Sequence, residues 1–168
     1  MRIFLNQAPT ADLSVRFITD KPDAVSIAVR EQTLEKCVHV EPGKSYAEMS
    51  TFLAEAEVLV IIEANMKEGI FFPSKFVDYV QTGRPILAIS PKVGVLSDIL
   101  KTHGGGLAVD CDQPDAIAGG IKALYESWRA GLLDERFASD RLIKMFDKDA
   151  ILGCYLEIFG KLGLHCSG

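Results

Sequence analysis

Val58-Leu59-Val60-Ile61-Ile62 is an unbroken apolar run, and one helix-length segment further on Pro85-Ile86-Leu87-Ala88-Ile89-Ser90 repeats the pattern. A short apolar run rich in β-branched residues reads as a strand covered on both faces, as in the middle of a parallel sheet. The first run is therefore expected to be the central strand. Between the two lie a polar loop, residues 63–73, and a helical segment near residues 74–81. Strand, helix and strand in that order make a parallel crossover unit.

Outward from this unit the alternation continues in both directions. Toward the N-terminus, residues 14–19 (SVRFIT) read as a strand, 24–36 as a helix, 37–40 as a strand and 45–56 as a helix. That last helix carries its own start signal, because Ser45 and Glu48 have the spacing of a capping box and Tyr46, Met49, Phe52, Leu53 and Ala56 keep a helical period. Toward the C-terminus come a short helix around 96–102, a strand at 107–109 and a helix from Asp112 to Arg129, opened by Pro114 and an acidic first turn. The expected fold is one α/β domain over residues 1–168: an open, mainly parallel sheet with helices on both faces. Residues 135–145 and 149–162 add a C-terminal helical tail. Its second helix is apolar at Ile151, Leu152, Tyr155 and Phe159, so it must cover either this sheet or a neighbouring domain.

Composition narrows the function classes. The 168 residues carry 18 basic and 23 acidic side chains, a net charge of −5 without a Lys/Arg stripe, so no nucleic-acid partner is expected. No apolar run is long enough to cross a bilayer and the N-terminus lacks a signal-peptide pattern, so a cytosolic chain is expected. Cys37, Cys111, Cys154 and Cys166 are scattered, with no CxxC pair and no histidine at ligand spacing, so neither a zinc knuckle nor a dense disulfide framework is suggested. His39 and His103 have no nucleophile partner at a recognisable spacing, so no catalytic triad is visible.

Two glycine-containing segments imitate phosphate-binding motifs and fail on position. Gly43-Lys44-Ser45 follows a strand and opens a helix, but Val38 stands where a P-loop needs its first glycine. Capping and a surface lysine explain it. Gly104-Gly105-Gly106 runs from helix to strand, the reverse of the dinucleotide fingerprint, and reads as a left-handed turn. Gly119 and Gly120, inside a helix, imply close packing on the sheet or a bend.

In an open α/β sheet, ligands sit beyond the carboxyl ends of the strands. The segment there that asks for explanation is Pro73-Ser74-Lys75 with Asp78. A lysine in the first turn opposes the positive end of the helix dipole unless an anion joins it. Asp78, one turn deeper, has acceptors suited to ribose hydroxyls. The plain alternative is a capping serine and a Lys75–Asp78 surface pair. Glu63, Asn65, Lys67, Glu68 and Gly69 make the preceding loop polar where a sugar hydroxyl would be read.

The stretches AEVLVIIEA, FFPSKFVDYVQTGRPILAIS and GGGLAVDCDQPDAIAGGI, in this order, resemble the C-terminal donor-binding domain of GT-B glycosyltransferases, the large retaining group called family 4. The resemblance runs from about residue 13 to the end and implies a Rossmann-like domain that binds a nucleotide sugar, UDP- or GDP-linked, as donor substrate and needs no cofactor or metal. It implies Lys75 on the diphosphate, Asp78 on the ribose, Ser74 beside them, and Glu68 with Gly69 toward the sugar. Two departures stand out: Glu68 and Asp78 lie further apart than the family's paired glutamates, and of the family's Arg and Lys after the first strand only Arg2 is near. The resemblance further implies a hexosyltransferase whose N-terminal acceptor domain, or a partner subunit, lies outside this chain, with the last helix crossing to it. Alone, the chain is expected to bind without turnover. A membrane periphery remains open for the full enzyme. The competing readings are a non-catalytic interaction module that kept the fold and a domain related to sugar-nucleotide epimerases.

Overall fold

Strands and helices alternate along the chain in a computed structural model that describes residues 1–162. The order is α1 (Arg2–Gln7), β1 (Val15–Thr19), α2 (Pro22–Glu31), β2 (Val38–Pro42), α3 (Tyr46–Glu55), β3 (Leu59–Ile62), α4 (Lys75–Gln81), β4 (Ile86–Ser90), α5 (Val95–His103), β5 (Gly106–Asp110) and α6 (Pro114–Arg129), then α7 (Leu133–Phe137), α8 (Asp140–Met145) and α9 (Lys148–Lys161). Every strand pairing is parallel. The expected class, a Rossmann-like α/β fold with a helical tail, is the one observed.

The strands form two sheets, β1–β2 and β3–β4–β5. This corrects the expectation for residues 58–62. Leu59–Ile62 is a border strand, and the middle of its sheet is β4, buried at Ile86, Leu87, Ala88 and Ser90. The misreading has a physical cause. An apolar run reports on side-chain faces, whereas a place in a sheet is decided by backbone hydrogen bonds at the strand edges, which side-chain polarity does not encode. Nor are both faces of β3 covered: Ile61 is 1% exposed and Ile62 55%.

One face of the larger sheet carries a core of Ile61, Ile86 and Ala88 with Phe76 and Val80 of α4, Leu96 and Leu100 of α5, and Leu142 of α8. On the other face Leu87 packs with Leu124 of α6 and Leu133 of α7. Gly106 opens β5 at φ +150°, and a Cβ there would run into the backbone carbonyl of Ile86, so the close β4–β5 approach requires glycine. Gly104 and Gly105 are left-handed, as the sequence implied. At Gly120, a Cβ would stand 2.8 Å from Val109 Cγ1, which is the close packing on the sheet expected there. Gly119 meets no neighbour.

The β1–β2 unit has its own core around Val29, Cys37 and Val38. Arg16 joins it to α3: its Nε donates to Glu41 Oε1 at 2.8 Å and its guanidinium lies 3.8 Å from the Phe52 ring centre. Arg16 and Lys44 together hold the Glu41 carboxyl down at about 2. The Ser45–Glu48 capping box is complete, with Ser45 N–H donating to Glu48 Oε2 and Glu48 N–H to Ser45 Oγ. Lys44 sits 2.9 Å from Glu41, so the P-loop imitation is a surface ion pair.

Several boundaries differ from expectation. α1 was not legible in the sequence; Phe4 anchors it, edge-on to Tyr125 of α6. α2 stops at Glu31, ahead of Thr33 with φ +55°. Residues 135–145 are broken at Ser139, whose Oγ accepts from Leu142 N–H and donates to the carbonyl of His103. α9 buries no residue, and Ile151, Leu152, Tyr155 and Phe159 are all exposed, so it does not cover this sheet. Cys37, Cys111 and Cys154 are free thiols; Cys166 lies outside the described residues.

The two faces of β3 give a direct test. Ile61→Thr places a hydroxyl in the core and is expected to cost about 2–4 kcal/mol in urea unfolding, while Ile62→Thr stays within about 0.5 kcal/mol. A fourteen-residue helix with no buried contact is marginal in water, so α9 amides are expected to exchange with deuterium well ahead of those of β4.

Candidate functional site

The parallel register lines up the carboxyl tips of the three strands. Ile62 faces Ile89, and Ile89 faces Val109. One step further Ser90 faces Asp110, and Glu63 N–H donates to Ile89 O at 3.0 Å, which extends the ladder past β3. Glu63, Ser90 and Asp110 thus form a polar row across adjacent strand tips. Side chains alternate along strands, so this row follows Ile61, Ala88 and Ala108 on the side of α4 and α5.

Each member of the row is placed differently. Ser90 is 2% exposed, and its Oγ has no partner among the described residues. A buried hydroxyl without a partner is costly and unusual. Asp110 Oδ1 accepts from Asp112 N–H at 3.0 Å, and Asp112 in turn accepts from the Asn65 amide, so the loops after β3 and β5 are tied together. Glu63 is half-buried, and no hydrogen bond or ion pair engages its carboxylate among the described residues. Burial pushes its carboxyl above the ordinary glutamate value. Burial, then the negative charges of Asp112 and Asp110, push the Cys111 thiol up as well.

A second device closes the loop after β3 onto the row. Gly69 N–H donates to Val93 O at 2.9 Å and Val95 N–H donates to Gly69 O at 3.1 Å, forming an isolated parallel bridge between Gly69 and Gly94. A Cβ on Gly94, at φ +159°, would stand 2.8 Å from the Gly69 backbone. A Cβ on Gly69 would stand 3.3 Å and 3.6 Å from the two Glu63 carboxylate oxygens. Only two glycines allow this approach, and it brings the expected residue Gly69 beside the Glu63 side chain.

The other expected residues stay outside this row. Glu68 is exposed. Ser74, Lys75 and Asp78 are exposed on α4, whose Phe76 and Val80 turn into the core. Ser74 is the N-cap residue but makes no side-chain capping bond, and no Lys75–Asp78 ion pair forms among the described residues. The plain reading of that motif is therefore not realised. The strand ahead of it, however, is the border strand already described. Sequence reasoning named Glu63 only as part of a polar loop and passed over Ser90 and Asp110, because a serine or aspartate at the end of a strand carries no signal until register sets it beside a partner.

An open depression of about 570 Å³, lined by residues including Ser50, Thr82, Arg84, Asp134 and Asp140, lies at the amino ends of β3 and β4. It lies at the edge opposite the one where ligands of open α/β sheets sit, and carboxylates of Asp134 and Asp140 stand in its lining. Arg84 there is held by the carbonyl of Ala54 at 3.0 Å. Among the described residues, no group of three or more His, Cys, Asp and Glu side chains is arranged to hold a metal ion, and no helix is long and apolar enough to cross a membrane.

No protein-family model matches the sequence. No curated protein matches it in sequence either. Solved structures do match the fold. A glycosyltransferase from Rickettsia africae superposes with a TM-score of 0.72 at 14% identity, over 94% of this chain and 42% of that one. The pneumococcal O-GlcNAc transferase GtfA, solved with UDP and GlcNAc, gives 0.65 at 13% identity, over 95% of this chain and 31% of that one. Sucrose-phosphate synthase from Thermosynechococcus elongatus gives 0.65 at 15%, over 96% and 49%. The chain thus has the fold of a glycosyltransferase domain, and it spans less than half the length of the chains it matches.

The raised Glu63 carboxyl has a checkable sign. Between the ordinary glutamate value and its own higher midpoint, the folded chain holds a proton that the unfolded chain has released. Stability is therefore expected to fall as pH rises through that interval. Glu63→Gln should remove this fall, as followed by urea unfolding across pH; an unchanged profile would place the burial effect elsewhere.

Proposed function

We propose that this chain is the donor-binding domain of a glycosyltransferase, taking a UDP- or GDP-linked sugar at the carboxyl edge of β3–β5. The observation that carries the reading is the extent of the fold match, 94–96% of this chain in three such enzymes, one of them solved with UDP. The position of Lys75 supports it. The Lys75 ammonium in the opening turn of α4 makes no ion pair among the described residues and would be met by a diphosphate beside it. Asp78, one turn on, would accept from ribose hydroxyls, with Ser74 beside the phosphates and the loop after β3, which carries Glu63, Glu68 and Gly69, toward the sugar.

The acceptor site belongs to a second domain or subunit. Two observations support this: the neighbours extend well beyond the matched region, and α9 presents apolar side chains that nothing among the described residues covers. Transfer needs the donor and acceptor held together with water excluded, so this chain alone is expected to bind donor and transfer nothing. Isothermal titration with UDP and GDP tests the reading. One of them is expected to bind, and Lys75→Ala to weaken that binding by about 1.5–3 kcal/mol, as for a hydrogen bond to a charged group. Failure of the folded chain to bind either nucleotide contradicts the proposal.

A further inference from the structure

We infer that Glu63, with Ser90 behind it, is the group that reads the sugar hydroxyls of the donor, in place of the exposed Glu68; the inference rests on the donor-binding reading above. The geometry separates two chemistries along one edge. The row at the strand tips is acidic, with Glu63 and Asp110 in register on either side of Ser90 and Asp112 close by, and no lysine or arginine pairs with any of them among the described residues. A phosphate would be repelled there. The cation Lys75 stands instead at the opening of α4.

Ionised carboxylates are acceptors only, so an unengaged one at the strand tips calls for donors. Asp110 already spends one oxygen on the Asp112 N–H, whereas no ion pair among the described residues engages Glu63, whose oxygens lie against Gly69, the residue that the Gly69–Gly94 bridge fixes in place. Ser90 Oγ, buried and unpartnered on the next strand tip, adds a group that both donates and accepts. A polyol, with vicinal hydroxyl donors that also accept, matches that pair. Glu68 has neither the burial nor the fixed neighbour, and its position next to Gly69 in sequence is what made it conspicuous. A nucleotide sugar would then lie with its diphosphate toward α4 and its hexose over the tips of β3 and β4.

The test compares affinities for UDP and UDP-glucose, and for GDP and GDP-mannose, by isothermal titration of the whole chain. In the series that binds, Glu63→Gln is expected to lower the ratio of nucleotide-sugar to nucleotide affinity at least fivefold; a smaller change overturns the inference while leaving donor binding intact. Wild-type protein that binds none of the four ligands overturns the donor-binding reading and this inference with it. Should Glu63→Gln fail to fold by circular dichroism, the wild-type carboxyl resonance of Glu63 decides the matter. The nucleotide sugar is expected to lower its titration midpoint, because hydrogen bonds from hydroxyls favour the ionised form. A midpoint that nucleotide sugar leaves where the nucleotide alone puts it overturns the inference.

Discussion

The hydrogen-bond ladder that holds β4 between β3 and β5 is the constraint from which the site follows. Because all three strands run parallel, their tips end at one edge, and because the register is fixed residue by residue, Glu63, Ser90 and Asp110 fall side by side. A slip of one residue in either pairing would turn a member of the row to the opposite face. Register is secured by the core beneath the row, where Ile61, Ile86 and Ala88 lock against Phe76, Leu96 and Leu100, and by Gly106, whose missing side chain lets β5 approach β4.

Above that ladder the loops are braced rather than loose. The Gly69–Gly94 bridge and the Asn65–Asp112 hydrogen bond tie the loops after β3, β4 and β5 to one another. Within the brace Ser90 Oγ is buried without a partner among the described residues, and none of the ion pairs there involves Glu63. Stable proteins satisfy buried polar groups, so the unpartnered Ser90 hydroxyl inside this frame is a reason for proposing that ligand binds at this edge. The open depression at the amino-terminal edge has none of this construction.

Much of the fold was legible in the sequence. The alternation of apolar runs with helical periods, the Ser45–Glu48 box and the Gly104–Gly106 turn each come from local physics, and each appears as read. What the sequence withheld was relational. The edge position of β3 depends on which backbone groups find partners, and the apolar run at residues 58–62 is silent about that. The break at Ser139 depends on a carbonyl of His103 far away in sequence. In the site, Ser74, Lys75 and Asp78 were conspicuous because a charged residue in the wrong part of a helix is visible in one dimension. Ser90 and Asp110 become meaningful only when three strand ends meet.

The central claim is that ligand binds over the tips of β3, β4 and β5. Amide chemical-shift mapping by NMR on the whole chain, with UDP-glucose or GDP-mannose added in turn, tests it most directly. The account predicts that the largest shifts from the ligand that binds cluster at residues 63–69, 90–94, 110–112 and the first turn of α4. Shifts centred instead on Thr82, Arg84 and Asp134, at the opposite edge, would contradict it.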